Sequence, residues 1–165
     1  MDTSNTPIWI AMVAQRDRIL IVRFRVDRSA SPATAFVEDD RTHKIQDGAR
    51  PAAYRAMHEW IIAYLADHAP CDVVVKASAV SGKGSATLGL LESAELRGVA
   101  ICAAMCSGCR VHLASKAVAS RTFGERKVDE YVGDDDYCNT RFIGELKKGS
   151  REAMVLAYAC ATGGT

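Results

Sequence analysis

The sequence predicts an α/β domain in which a mixed sheet carries helices on both faces. Three observations point there. Near the start, two apolar runs flank a short polar turn, the pattern of a β-hairpin. Strand-like and helix-like segments then alternate, the order that builds parallel strand pairs. Two long segments repeat apolar residues at helical spacing, with the apolar run Val73-Val74-Val75 between them.

Each element follows in order. Ile8 to Val13 (IWIAMV) reads as a buried strand, and Gln15-Arg16-Asp17 as a polar turn. Ile19 to Val22, with Phe24 and Val26, reads as the second strand. Ser29 to Pro32 is a loop, and Ala35-Phe36-Val37 is a short third strand. Residues 38–50 are polar, contain Gly48 and read as a connection. Pro51 suits the first turn of a helix, because its missing N–H would have no helical partner there. Ala53, Met57, Trp60, Ile61, Tyr64 and Leu65 then form an apolar stripe. Pro70 closes that helix, and Asp72 leads into the fourth strand, Val73 to Lys76.

The next helix covers about Ser85 to Met105, with Leu88, Leu91, Leu96, Val99 and Cys102 among its apolar positions. Gly108 sits where that helix stops. Val111 to Leu113 is the fifth strand, and residues 115–123 form a short helix. Residues 124–148 are highly charged and read as surface loops or short helices. A last helix spans about Ser150 to Ala161, with Met154, Val155, Tyr158 and Ala159 available for packing. No internal repeat or linker divides the chain, so residues 1–165 are expected to form a single domain.

The composition narrows the function classes. At 165 residues, such a domain buries roughly 70% of its unfolded surface and needs no disulfide or structural metal to fold. The net charge of +1 excludes a global basic field, so any phosphate-binding surface must be local. No apolar run reaches the length of a membrane span. Residues 1–7 show no signal-peptide pattern, so a cytoplasmic location and reduced cysteines are expected.

The segment Glu95-Leu96-Arg97-Gly98-Val99-Ala100-Ile101-Cys102-Ala103-Ala104 carries the most specific pattern. It resembles the helix after the fourth strand of Holliday-junction resolvases, where an Arg-Gly-Val-Ala core recurs. Val111 to Phe123 and the Ala-rich Arg151 to Ala161 follow in matching order. The chain thus resembles the RuvC-like branch of the RNase H fold over most of its length. Lys76, the Gly82-Lys83 pair and the following helix are similar to an uncharacterised bacterial family related to these resolvases.

The resemblance implies an RNase H-like, RuvC-like mixed five-stranded sheet with helices on both faces. It also implies, for an active member, two divalent ions held by four carboxylates: one on the first strand, one ending the fourth, two on the last helix. Hard oxygen ligands suit Mg²⁺, and paired ions stabilise the attacking and leaving oxygens of phosphodiester cleavage. In this chain the first-strand position falls near Val13 or Ala14, and the fourth-strand position at Lys76. On the last helix Glu152 matches one acid, while the preceding turn offers Gly149 and Ser150.

The implied reading is a protein with a degenerate metal site and no resident cofactor. It would bind DNA or RNA, or act as a regulator, without two-metal nuclease activity. Mg²⁺ belongs only to the alternative of an active endonuclease that recruits Asp17, Glu92 or Glu95 with Glu152. A protein–protein interaction module on the same scaffold is a further alternative. Resolvases of this type are dimers, which implies a homodimer.

Lys76 either pairs with Glu152 or Asp17, or serves a crevice at the strand's carboxyl end, binding phosphate or acting as a base. Ser81-Gly82-Lys83-Gly84-Ser85 follows a strand and opens a helix, the context of a phosphate loop. The Walker pattern fails twice, at Ala77 and Gly84, which leaves Gly82, Lys83 and Gly84 as an anion- or substrate-facing loop. Arg126, Lys127, Lys147 and Lys148, interrupted by acids such as Asp129 and Asp134, read either as a solvated charged surface or as a phosphate-contacting rim. Cys102, Cys106 and Cys109, with His112 beyond them, have a spacing that could hold iron–sulfur or zinc. Radical enzymes with that motif need a larger barrel, and Cys102 and Cys106 lie on an apolar helix. They are therefore expected to be packed thiols rather than ligands.

Overall fold

The computed structural model describes residues 6–77 and 87–163. β1 (Ile8–Ala14), β2 (Arg18–Asp27) and β3 (Thr34–Lys44) form an antiparallel meander. The helix α1 (Arg50–His68) leads to β4 (Asp72–Lys76), which pairs parallel to β1. The helix α2 (Leu88–Cys106) leads to β5 (Arg110–Ala114), parallel to β4. Three short helices follow, α3 (Lys116–Phe123), α4 (Val128–Gly133) and α5 (Asp135–Arg141). A two-residue strand β6 (Phe142–Ile143) pairs parallel to β3, and a short 3-10 turn enters α6 (Arg151–Thr162). No described helix is long and apolar enough to cross a membrane.

The sheet has six strands in the order β5-β4-β1-β2-β3-β6, not the expected five. The sixth strand is β6, and β3 is also longer than expected. β6 is only two residues long, too short to show any alternation. β3 runs to Lys44 where a connection was expected after Val37. Its second half is polar, so it lacks the period-two signal, but the backbone ladder with β2 continues to Arg18↔Lys44. The side chains find partners on α1: His43 stacks on Trp60 at 3.8 Å, and the Tyr64 hydroxyl donates to Asp39 at 2.9 Å. Glu38 is skipped in the ladder and reaches both Arg23 and Arg25, so the bulge is pinned by ion pairs.

Strand alternation splits the core in two. Ile10, Met12, Ile19, Ile21, Val73 and Val75 face α1 and α2. Trp9, Ala11, Val13, Leu20, Val22, Phe24 and Val74 face α6. α1 buries Ala53, Met57, Ile61, Tyr64 and Leu65, the predicted stripe with Trp60 at its margin. It ends at Ala69 in the left-handed conformation, just before Pro70.

α2 begins three residues later than predicted, because the Thr87 side chain accepts from the Leu90 N–H and caps it. Its buried face is Glu92, Leu96, Ala100, Ala103 and Ala104, while Leu88, Leu91 and Cys102 are exposed. The helix is apolar on more than one side, so periodicity alone does not select the face that packs. α6 is buried nearly all round, from Ala153 through Ala159 and at Ala161, between the sheet and α3 and α4.

Candidate functional site

Lys76 shares a face of β4 with Val74, so it points toward the α6 side at the carboxyl end of the parallel strands. Glu152 stands in the first turn of α6, where the helix dipole favours a carboxylate. Asp40 fixes the approach to that turn. Its carboxylate accepts from the Ser150 hydroxyl and the Lys147 N–H, both at 2.7 Å. Ser150 is fully buried by this contact. Gly144, on the same approach, has φ +119°, and a Cβ there would stand 2.5 Å from the Val37 carbonyl oxygen.

Lys76 Nζ donates to Glu152 Oε2 at 2.8 Å. A second ammonium, Lys116 at the start of α3, lies 2.9 Å from Glu152 Oε1. It also donates to Asp129 Oδ1 at 2.6 Å. The cluster holds two cations and two anions in series, Lys76–Glu152–Lys116–Asp129. Burial would raise the Glu152 carboxyl, but the ammonium groups of Lys76 and Lys116 override it and hold the group below its usual range. Lys116 is raised, first by Asp129 and then by Glu152.

The Lys76–Glu152 pair is one of the alternatives the sequence left open for Lys76; Asp17, the other acid considered, bonds Arg18 instead. Lys116 and Asp129 were not anticipated. The available signal was Ser115-Lys116 at the carboxyl end of β5, next to the strand that ends in Lys76, where open α/β sheets place their crevices.

This donor set does not fit a pair of divalent ions. The first-strand positions are the buried Val13 and the apolar Ala14. Glu152 already faces an ammonium at each oxygen, and a metal would have to displace both. The relocated acids do not converge either. Asp17 bonds its neighbour Arg18 at 2.8 and 3.0 Å, which holds its carboxyl below the usual range. Glu92 lies between Arg16 and Arg50, and Glu95 accepts from the Tyr54 hydroxyl, both on the α1–α2 side of the sheet. Among the described residues, no three carboxylates come within 4.8 Å of one another.

The basic candidates are partly engaged. Arg126 pairs with Asp134 at 2.8 Å and lies over the Tyr131 ring. Lys147 Nζ donates to the Asp40 carbonyl at 2.6 Å. Lys127 stands at the N-cap position of α4 and is bonded there through its backbone N–H, which donates to Glu130 at 2.7 Å, and Lys148 is exposed beside Asp135. Gly82, Lys83 and Gly84 lie outside the described residues.

The cysteine pattern is not gathered as its spacing suggested. Cys109 is buried against the Pro70 carbonyl, and its thiol is pushed up by that burial. His112 projects to the α6 face, where it bonds the buried Asp72 at 2.7 Å and stacks on Trp9. Cys102 and Cys106 sit on α2, on the other side of the sheet, and both are exposed rather than packed.

No protein-family model matches the chain, and no curated protein does. Solved structures do. The chain is similar to Thermus thermophilus RuvC, with a TM-score of 0.75, 12% identity, and coverage of 94% of this chain and 93% of that one. It is also similar to the same organism's RuvC in complex with Holliday junction substrate, with a TM-score of 0.72 and the same identity and coverage. The yeast mitochondrial Holliday junction resolvase Ydc2 superposes with a TM-score of 0.61 and 8% identity, over 92% of this chain and 76% of that one. At these identities the likeness speaks for the fold alone. With the meander, the β1–β4–β5 parallel half and α6 across the sheet, the chain has the RuvC-like form of the RNase H fold.

Proposed function

We propose that this protein binds nucleic acid through a RuvC-like scaffold and does not cleave it by a two-metal mechanism. The observation that carries the reading is the Lys76–Glu152–Lys116–Asp129 cluster, in which Lys76 bonds one oxygen of the carboxylate that α6 offers and the Lys116 ammonium stands 2.9 Å from the other. The similar Thermus RuvC was solved with a Holliday junction, so branched DNA is the first ligand to test. Lys127, Lys148 and a re-paired Arg126 would contact phosphates, and Lys76 would join them only by leaving Glu152. The assembly we propose is a homodimer; the exposed Leu88, Leu90 and Leu91 supply apolar surface for a second copy.

Salt separates this reading from a protein-interaction module. A footprint of about three phosphates loses roughly forty-fold in affinity between about 50 and 200 mM salt. Fluorescence anisotropy with labelled four-way junction DNA should show a loss of that order. Lys127→Ala with Lys148→Ala should flatten the slope. No binding at low salt would contradict the reading and favour a protein partner.

A further inference from the structure

One cluster outside the cation–carboxylate site has its own chemistry. The α1 and α2 helices run side by side, joined by Arg50–Glu92 and Tyr54–Glu95. One turn beyond Tyr54, His58 faces α2. There the ligand atoms of His58, Cys102 and Cys106 all lie within 4.8 Å of one another. The two cysteines are four residues apart, so their thiols lie on one helix face. Spacing alone could not have included His58, which precedes Cys102 by two structural elements.

We propose that His58, Cys102 and Cys106 form a binding site for a thiophilic divalent ion of the Zn²⁺ class, with its fourth position open to solvent or an external ligand. The proposal does not rest on the nucleic-acid reading. Zn–S and Zn–N bonds of roughly 2.0–2.3 Å in a tetrahedron place ligand atoms about 3.3–3.8 Å apart. The observed grouping is therefore within about an ångström of closure. The backbones are held already: Met57 and Ile61 bury α1, and Ala103 and Ala104 bury α2. Only half-buried or exposed side chains need to rotate.

The ligand type selects the ion. Two thiolates and an imidazole are soft to borderline donors that suit Zn²⁺ and disfavour Mg²⁺. Nor does packing account for these thiols, because both cysteines are exposed while Cys109 and Cys138 fill the core. On binding, each thiol gives its proton to solvent as its sulfur bonds the metal, and the neutral imidazole donates its lone pair. Affinity therefore falls as pH falls.

The test uses the full chain, reduced and stripped of metal. Zn²⁺ is titrated in competition with a chromophoric chelator, and Co²⁺ serves as a spectroscopic probe. The expected result is one equivalent bound, with thiolate-to-cobalt charge-transfer absorption and a rise in Tm on adding Zn²⁺. Cys102→Ser, Cys106→Ser and His58→Ala should each weaken binding at least about tenfold and remove the Tm rise, while Cys71→Ser should change neither. All four positions lie outside the core, so the variants should fold, and their metal-free Tm checks that they do. Three results would overturn the proposal: no stoichiometric binding, binding unchanged in the Cys102 and Cys106 variants, or a Cys102–Cys106 disulfide as the resting state.

Discussion

Glu152→Gln should cost about 3 kcal/mol at neutral pH, because it leaves the Lys76 and Lys116 ammonium groups facing each other across an amide. That is the low end for removing one partner of a buried ion pair, since the Glu152 side chain keeps 23% of its exposure. Lys76→Met should cost less, about 1 kcal/mol, because Lys116 still neutralises the carboxylate. The pH dependence follows from the direction of the Glu152 shift. Its carboxyl is lowered in the folded state, so its stabilisation is present above the ordinary glutamate value of 4.5 and is lost as pH falls through the folded value. Urea unfolding of wild type and Glu152→Gln should therefore differ most near neutral pH and converge in acid. A more stable Glu152→Gln would mean that the carboxylate is strained there, as a metal ligand awaiting its ion would be.

The second large effect lies one helical turn further along α6. Leu156 is 1% exposed, set between the sheet and the short helices. Leu156→Ala should cost about 2–5 kcal/mol, the range for a truncated core leucine whose surroundings cannot collapse. The control is Leu91→Ala. Leu91 is 51% exposed on α2, and its loss should stay within about 0.5 kcal/mol. Equal effects would contradict the assignment of the packed faces. The result bears on the site as well, because the same packing holds Glu152 against Lys76.

The sequence shows the framework most clearly where burial imposes a period. The β1–β2 hairpin, the α1 stripe and the apolar β4 all belong to surfaces that exclude water on at least one side. It is silent where the backbone ladder, rather than apolar packing, sets the structure. From Glu38 to Lys44 β3 is a polar ribbon, and β6 is a single dipeptide. α2 misleads for the opposite reason: leucines line its exposed side, and alanines allow its close approach to the sheet.

The candidate site divides the same way. Lys76 and Glu152 could be paired from topology, since one ends a parallel strand and the other opens the helix that crosses it. Lys116 opens α3, a helix the sequence shows, but Asp129 comes from α4, inside the charged stretch where no apolar period marks an element. His58 meets Cys102 and Cys106 only because α1 and α2 lie side by side, a long-range fact that no local spacing carries.

We propose that ammonium groups stand in the place of metal at the end of β4. The most direct measurement is cleavage of four-way junction DNA with Mg²⁺ or Mn²⁺, by wild type and by Glu152→Ala. The account predicts no cleavage above the protein-free background from either. Metal-dependent cleavage by the wild type that Glu152→Ala abolishes would contradict it.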